Sequence, residues 1–164
     1  MLIDVINNLN RNKQLYYLTI VGDGPQREKL MSLSKKGIKN GFINFKGSLY
    51  KEEEIAKLIF NSDLCVSPGN VGLTCIHSLT YGTPVCTHGN FVNQMPEVEA
   101  IINGKNGIFF KENDIKSLEK KILEWFAKYH QNYSREIIRE PIDRDYNPSN
   151  QIKIITNMLK EWQN

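Results

Sequence analysis

Residues 64–85, LCVSPGNVGLTCIHSLTYGTPV, constrain the fold more than any other stretch. A short apolar strand (Leu64, Cys65, Val66) runs into Ser67-Pro68-Gly69-Asn70. A helix opens near Val71, Gly72 and Leu73 and stops at Gly82, and a second strand starts at Pro84 and Val85. Strand, tight loop, helix and strand in that order point to a parallel sheet. Small residues between a strand end and a helix start leave backbone N–H groups uncovered. Those groups, with the positive end of the helix dipole, suit an anion, so phosphate chemistry is the first expectation.

The same alternation runs along the chain. Leu2, Ile3, Val5, Ile6 and Leu9 recur at helical spacing, so the chain begins inside a helix. Residues 15–21 form a continuous apolar run ended by Gly22-Asp23-Gly24-Pro25. That predicts a buried strand, a glycine loop and a helix over 25–36 with Pro25 in its first turn. Residues 42–46 predict a strand stopped by Gly47, and 52–61 a helix with Ile55, Leu58 and Ile59 inward. After the 64–85 stretch, with its second strand at 85–87, come a polar loop holding Asn90, Asn93 and Gln94, a short helix over 96–102 and a strand over 107–110. Ile115, Leu118, Ile122, Leu123 and Phe126 mark an amphipathic helix. Ile152, Ile154, Ile155, Met158, Leu159 and Trp162 mark another, in a helical tail over about 131–164. The pattern predicts an α/β fold, a Rossmann-like doubly wound parallel sheet, with 1–164 as one domain. Ligands bind such sheets outside the carboxyl ends of the strands, where the turns at 22–25, 47–49 and 68–72 emerge.

Composition excludes several function classes. A formal net charge of +3, with basic residues scattered, argues against a nucleic-acid partner and gives little support to peripheral membrane contact through basic helices. No apolar run is long enough to span a bilayer and no signal peptide is visible, so a cytoplasmic location, at most at the inner face of the membrane, is expected. Cys65, Cys75 and Cys86 lie in or beside apolar segments without a CxxC pair, which argues for buried free thiols rather than disulfides or zinc.

The glycine turns carry the candidate chemistry. Gly22 and Gly24 lack the third glycine of a dinucleotide fingerprint, and no Gly-Lys-Ser/Thr follows any loop, so NAD binding and NTP hydrolysis lose ground. The loop over 69–74 gains from the two other turns expected on the same sheet edge. His77 faces solvent, a polar corner of the core, or the cleft and a ligand hydroxyl; sequence leaves these alternatives even. Glu97 and Glu99 flank the start of a short helix, where acidic residues complement the dipole. His77, His88, Glu97 and Glu99 follow no metal-ligand spacing, and no GxSxG motif appears.

Five segments together resemble the C-terminal half of a family 4, GT-B-type glycosyltransferase: LTIVGDGPQREKL from Leu18, INFKGSL from Ile43, NSDLCVSPGNVGL from Asn61, SLTYGTPV from Ser78 and EAIINGKNGIFF from Glu99. The resemblance covers the chain to about Phe126. It implies a domain that binds a nucleotide-sugar donor, with a glycan or lipid-linked acceptor held by an N-terminal domain, in surface-polysaccharide assembly. It also implies site residues. Gly22 and Gly24 line the cleft edge, the backbone around Ser48 and Leu49 meets the nucleobase, and the amides of Val71, Gly72, Leu73 and Thr74 meet the diphosphate. Amides at the leaving diphosphate stabilise its growing charge, so no metal or other cofactor is expected.

Two departures from that family bear on function. Its pair of glutamates, with seven residues between them, reads Gly69 and His77 here. The first normally meets the donor sugar or phosphate, the second the ribose hydroxyls. Histidine still hydrogen-bonds hydroxyls; glycine has no side chain for either task. Asn70, Glu97 and Glu99 are candidate substitutes, and His77, Glu97 and Glu99 the candidate catalytic groups. The second departure is the start: the family's first strand and its basic loop are absent. That strand belongs between those at 15–21 and 64–66, and its loss exposes ladder groups on both neighbours. The expectation is a fragment that dimerises or swaps elements over the gap and has little transferase activity alone. Two other readings stand beside this one: a degenerate non-catalytic interaction module, and an enzyme resembling a sugar-nucleotide epimerase.

Overall fold

The computed structural model describes residues 1–129 and 134–162. The fold is α/β with parallel sheets. Helix α1 (Leu2–Leu9) precedes β1 (Leu18–Val21), then come α2 (Arg27–Leu33), α3 (Lys35–Lys39), β2 (Ile43–Gly47), α4 (Glu52–Phe60) and β3 (Cys65–Val66). Helix α5 (Leu73–Thr80), β4 (Val85–His88), a 3₁₀ turn at Pro96–Ala100, β5 (Gly107–Phe110), α6 (Ile115–Glu124), α7 (Arg135–Asp145) and α8 (Pro148–Glu161) complete it.

The strands form two sheets rather than one: β1 pairs with β2, and β3, β4 and β5 pair in that order, every pair parallel. Leu18 donates to Phe42 O, just before β2, and Gly22 donates to Gly47 O at the end of β2, so the backbone groups of Thr19 and Val21 turn the other way. Likewise Cys65 and Ser67 donate to Pro84 and Cys86, so Val66 turns away from β4. Among the described residues nothing pairs with these outer edges of β1 and β3. The open edges of β1 and β3 face the position where the sequence led us to expect a missing strand.

Helix α1 bridges the two halves. Its Val5 enters the larger core with Leu79 of α5, Val85, Ile108, Leu118 and Trp125, while its Ile3 and Ile6 pack on Phe42 and Ile43 beside β2.

Three local expectations are corrected. The first strand covers only Leu18–Val21, because Asn10 captures the segment before it. The Asn10 side chain accepts from the amides of Leu15 and Tyr16 and donates to Tyr16 O at 2.7 Å, in place of a ladder. That strand is also half-exposed rather than buried. The helix expected over 25–36 divides at buried Ser34 into α2 and α3; a Cβ at Gly37 would stand 2.5 Å from Ile43, so α3 packs against the start of β2. Ile55, Leu58 and Ile59 of α4 do face inward as expected, each half-buried beside exposed neighbours. Finally, the segment from 96 is a 3₁₀ turn rather than an α-helix. The tail is helical in α7 and α8, and its remaining residues, 130–133 and 163–164, lie outside the described part.

Candidate functional site

The loop between β3 and α5 is built from its carbonyls inward. Ser67 Oγ donates to Gly69 O and Asn70 O at 3.4 and 3.3 Å, and Thr87 Oγ1 donates to Gly69 O at 3.2 Å. Val71 is 1% exposed and anchors the loop in the core. Its amide donates to Gln94 Oε1 at 2.8 Å, so this one of the expected phosphate-facing amides is already engaged. The amides of Gly72, Leu73 and Thr74 have no acceptor among the described residues, and no side chain caps α5. A Cβ at Gly69 would meet nothing within 4 Å, and one at Gly72 only Met95 Cγ at 3.8 Å. Leu73 and Thr74 are exposed. The result is an uncapped helix start whose free N–H groups are reachable from solvent, the arrangement an anion needs.

The other two glycine turns meet each other. Gly22 donates from its amide to Gly47 O at 2.7 Å, and both glycines hold left-handed φ values, +120° and +72°, that other residues rarely adopt. Gly24 donates to Asp23 Oδ1, and Arg27 Nη1 pairs with Asp23 Oδ2 at 3.3 Å. That guanidinium also stands 3.3 Å from where a Gly47 Cβ would lie, putting a cation over the second turn. Ser48 is exposed and Leu49 half-buried.

His77 links this corner to α5. Its Nε2 lies 2.7 Å from Glu52 Oε1 in the first turn of α4, directly after the 47–51 turn, and Tyr81 OH donates to the same oxygen at 2.5 Å. The two hydrogen bonds, Tyr81 foremost, hold the Glu52 carboxyl below the usual carboxylate range, and the same bond raises the Tyr81 phenol.

Beyond β4, Gln94 donates from Nε2 to Thr87 Oγ1 and His88 O, which fixes its amide and ties the loop between β3 and α5 to the β4 end. Glu112, beyond β5, accepts from Asn90 and Asn93, and these bonds lower its pKa. His88 is 1% exposed, 4.0 Å from Glu112. Glu97 is half-buried, and its charge faces Cys75; Glu99 is exposed, and its charge faces Tyr146. Among the described residues no three His, Cys, Asp or Glu side chains gather as a metal site requires. Cys75 and Cys86 are buried free thiols, pushed by burial to about 12.

Sequence reasoning passed over Glu52 and Gln94. In sequence, Glu52 is one of three acidic residues opening a helix, which the dipole alone explains, and Gln94 is one polar residue of a loop. No helix among the described residues is long and apolar enough to cross a membrane. A shallow groove lined by Met31, Lys35 and Ile38 runs along the outside of α2 and α3; none of the loop residues above lines it.

Parallel sheets ending in glycine turns, with a free helix N-terminus beside them, define a fold of the GT-B glycosyltransferase class. The chain belongs to the glycosyl transferases group 1 family, which matches residues 1–140. Among solved structures it is similar to sucrose-phosphate synthase from Thermosynechococcus elongatus, with TM-score 0.77 and 18% identity over 98% of this chain and 41% of that one. It is also similar to a mutant of TarM from S. aureus, solved with fondaparinux, alpha-GlcNAc-glycerol and UDP, at TM-score 0.78 and 19% identity, covering 95% of this chain and 31% of that one. The lipopolysaccharide outer core galactosyltransferase WaaB matches at TM-score 0.76 and 20% identity, covering 98% and 44%. The chain thus spans less than half the length of these proteins. Comparison with curated proteins gives no match.

Proposed function

We propose that this chain is the donor-binding, C-terminal part of a family 4 glycosyltransferase, which moves a sugar from a nucleotide-sugar to a glycan or lipid-linked acceptor in surface-polysaccharide assembly. One observation carries the reading: the free amides of Gly72, Leu73 and Thr74 at the uncapped start of α5. During transfer the bond between the anomeric carbon and the diphosphate oxygen breaks, and negative charge grows on the leaving diphosphate. Amides fixed at that point stabilise the charge without reorganisation, so the step needs no metal from the protein. TarM, HepE and GtfA, all similar in fold, were each solved with UDP, which supports a nucleotide at the corresponding place. The acceptor belongs to a further domain, and the chemistry to the cytoplasmic side.

Calorimetric titration of UDP, GDP and their sugars tests this. Saturable binding by at least one is expected; no heat from any of them at millimolar ligand overturns the donor-site reading. The open edges of β1 and β3 also support pairing of two copies. Sedimentation should then report a dimer, and a monomer at every concentration rejects the pairing.

A further inference from the structure

We propose that the Glu52 carboxylate, presented by α4 and held by His77 and Tyr81 of α5, accepts the vicinal ribose hydroxyls of the nucleotide, an inference that rests on the donor-site reading above. His77 and Tyr81 stand four residues apart, hence on one face of α5, and both bind the same oxygen, Oε1, at 2.7 and 2.5 Å. Oε2 has no partner among the described residues, and the side chain is 60% exposed. An exposed glutamate ordinarily samples many rotamers. Here two hydrogen bonds already hold it, with one oxygen left toward solvent, so little ordering remains to be done when a ligand arrives.

The chemistry selects the ligand. An ionised carboxylate only accepts, and a vicinal diol offers two O–H donors to one acceptor group. Carboxylates recognise ribose in this way in dinucleotide sites on related α/β sheets. The position agrees. His77 lies five residues beyond Gly72, about 7.5 Å along the helix axis. A nucleotide with its phosphates on the amides of Gly72, Leu73 and Thr74 and its base toward Ser48 and Leu49 puts its ribose between those anchors. Glu52 directly follows that turn in sequence. Its neighbour Glu54 is instead 3.7 Å from Lys51. His77 is then a positioning residue, and the carboxylate comes from α4 rather than from α5. The consequence for specificity is a preference for ribonucleoside diphosphate donors over deoxyribonucleoside ones.

The test uses UDP and GDP, their 2′-deoxy analogues and inorganic pyrophosphate, titrated into the chain and into Glu52→Gln, with circular dichroism as the check on folding. Glu52→Gln should weaken the ribonucleotide that binds by roughly tenfold or more. The 2′-deoxy analogue should bind the unaltered chain more weakly and lose less on substitution, and pyrophosphate should bind both proteins alike. Tyr81→Phe should lower ribonucleotide affinity by less than Glu52→Gln while leaving pyrophosphate unchanged. If the ribonucleotide and pyrophosphate bind but neither Glu52→Gln nor removal of the 2′-hydroxyl weakens the nucleotide, the ribose assignment is overturned and the phosphate site stands. If no nucleotide and no pyrophosphate binds the unaltered chain, the donor-site reading fails and this inference falls with it.

Discussion

The amide of Val71 donates to Oε1 of Gln94 at 2.8 Å, across 23 residues of sequence, and the other end of the same Gln94 amide donates to Thr87 Oγ1 and His88 O. One side chain therefore fixes the loop at the start of α5 against the end of β4. Because its Nε2 faces two acceptors and its Oε1 a donor, the orientation of the amide is determined by the network itself.

Gln94→Ala should leave the Val71 amide without an acceptor at a residue 1% exposed. The expected cost is about 1–3 kcal/mol, read from urea unfolding. Gln94→Glu should not restore the loss, since a carboxylate accepts from Val71 but confronts Thr87 Oγ1 and His88 O with a second acceptor. A Gln94→Ala protein as stable as the original would mean that the loop is held by other contacts.

Much of the scaffold was legible because its signals are local. Apolar runs ended by Gly22, Gly47 and Gly82 gave β1, β2 and the end of α5, and all three glycines adopt left-handed φ. What was not legible depends on side-chain partners, near or distant in sequence, that apolar periodicity does not register. Leu15 and Tyr17 have strand-like composition, yet Asn10 diverts that segment, and both residues are largely exposed. The alternatives at His77 were even because its partner, Glu52, sits 25 residues away on another helix. The open edges of β1 and β3 lie where the family resemblance led us to expect a gap, whereas strand periodicity alone pointed to one sheet.

Two glycines should respond in opposite ways to a methyl group. A Cβ at Gly107 would stand 2.3 Å from Val85 O and 2.7 Å from Ile101 Cγ2, inside the contact between β4 and β5. Gly107→Ala should cost about 1–3 kcal/mol or more through overpacking. Gly24 has nothing within 4 Å of such a Cβ and should tolerate alanine to within about 0.5 kcal/mol. Thermal unfolding of the two variants side by side separates a glycine needed for packing from one free to serve a ligand.

The contact of Glu52 with His77 and Tyr81 should make stability depend on acid. The folded-state pKa of Glu52 is lowered from 4.5, first by Tyr81 and then by His77. A group depressed in the folded state contributes stability that is present above its unfolded pKa and is lost as pH falls through the folded value. The difference in unfolding midpoint between the original chain and Glu52→Gln should therefore be constant near neutrality and close as pH drops below 4.5. A difference that widens with acid would contradict the sign of the shift.

The apolar residues of α8 should behave as surface residues despite their composition. Ile155 and Leu159 are 55% and 60% exposed, and no residue of α8 is buried, whereas Leu79 of α5 is 0% exposed in the core. Ile155→Gln and Leu159→Gln should each stay within about 0.5 kcal/mol of the original in urea unfolding. Leu79→Ala should cost about 2–5 kcal/mol, because it removes buried methyl groups and leaves a cavity. The glutamine variants should also scatter less light at high concentration, since an apolar stripe open to water promotes association. If Leu159→Gln proves as costly as Leu79→Ala, α8 is packed against something in solution, and its exposed stripe is then a contact surface.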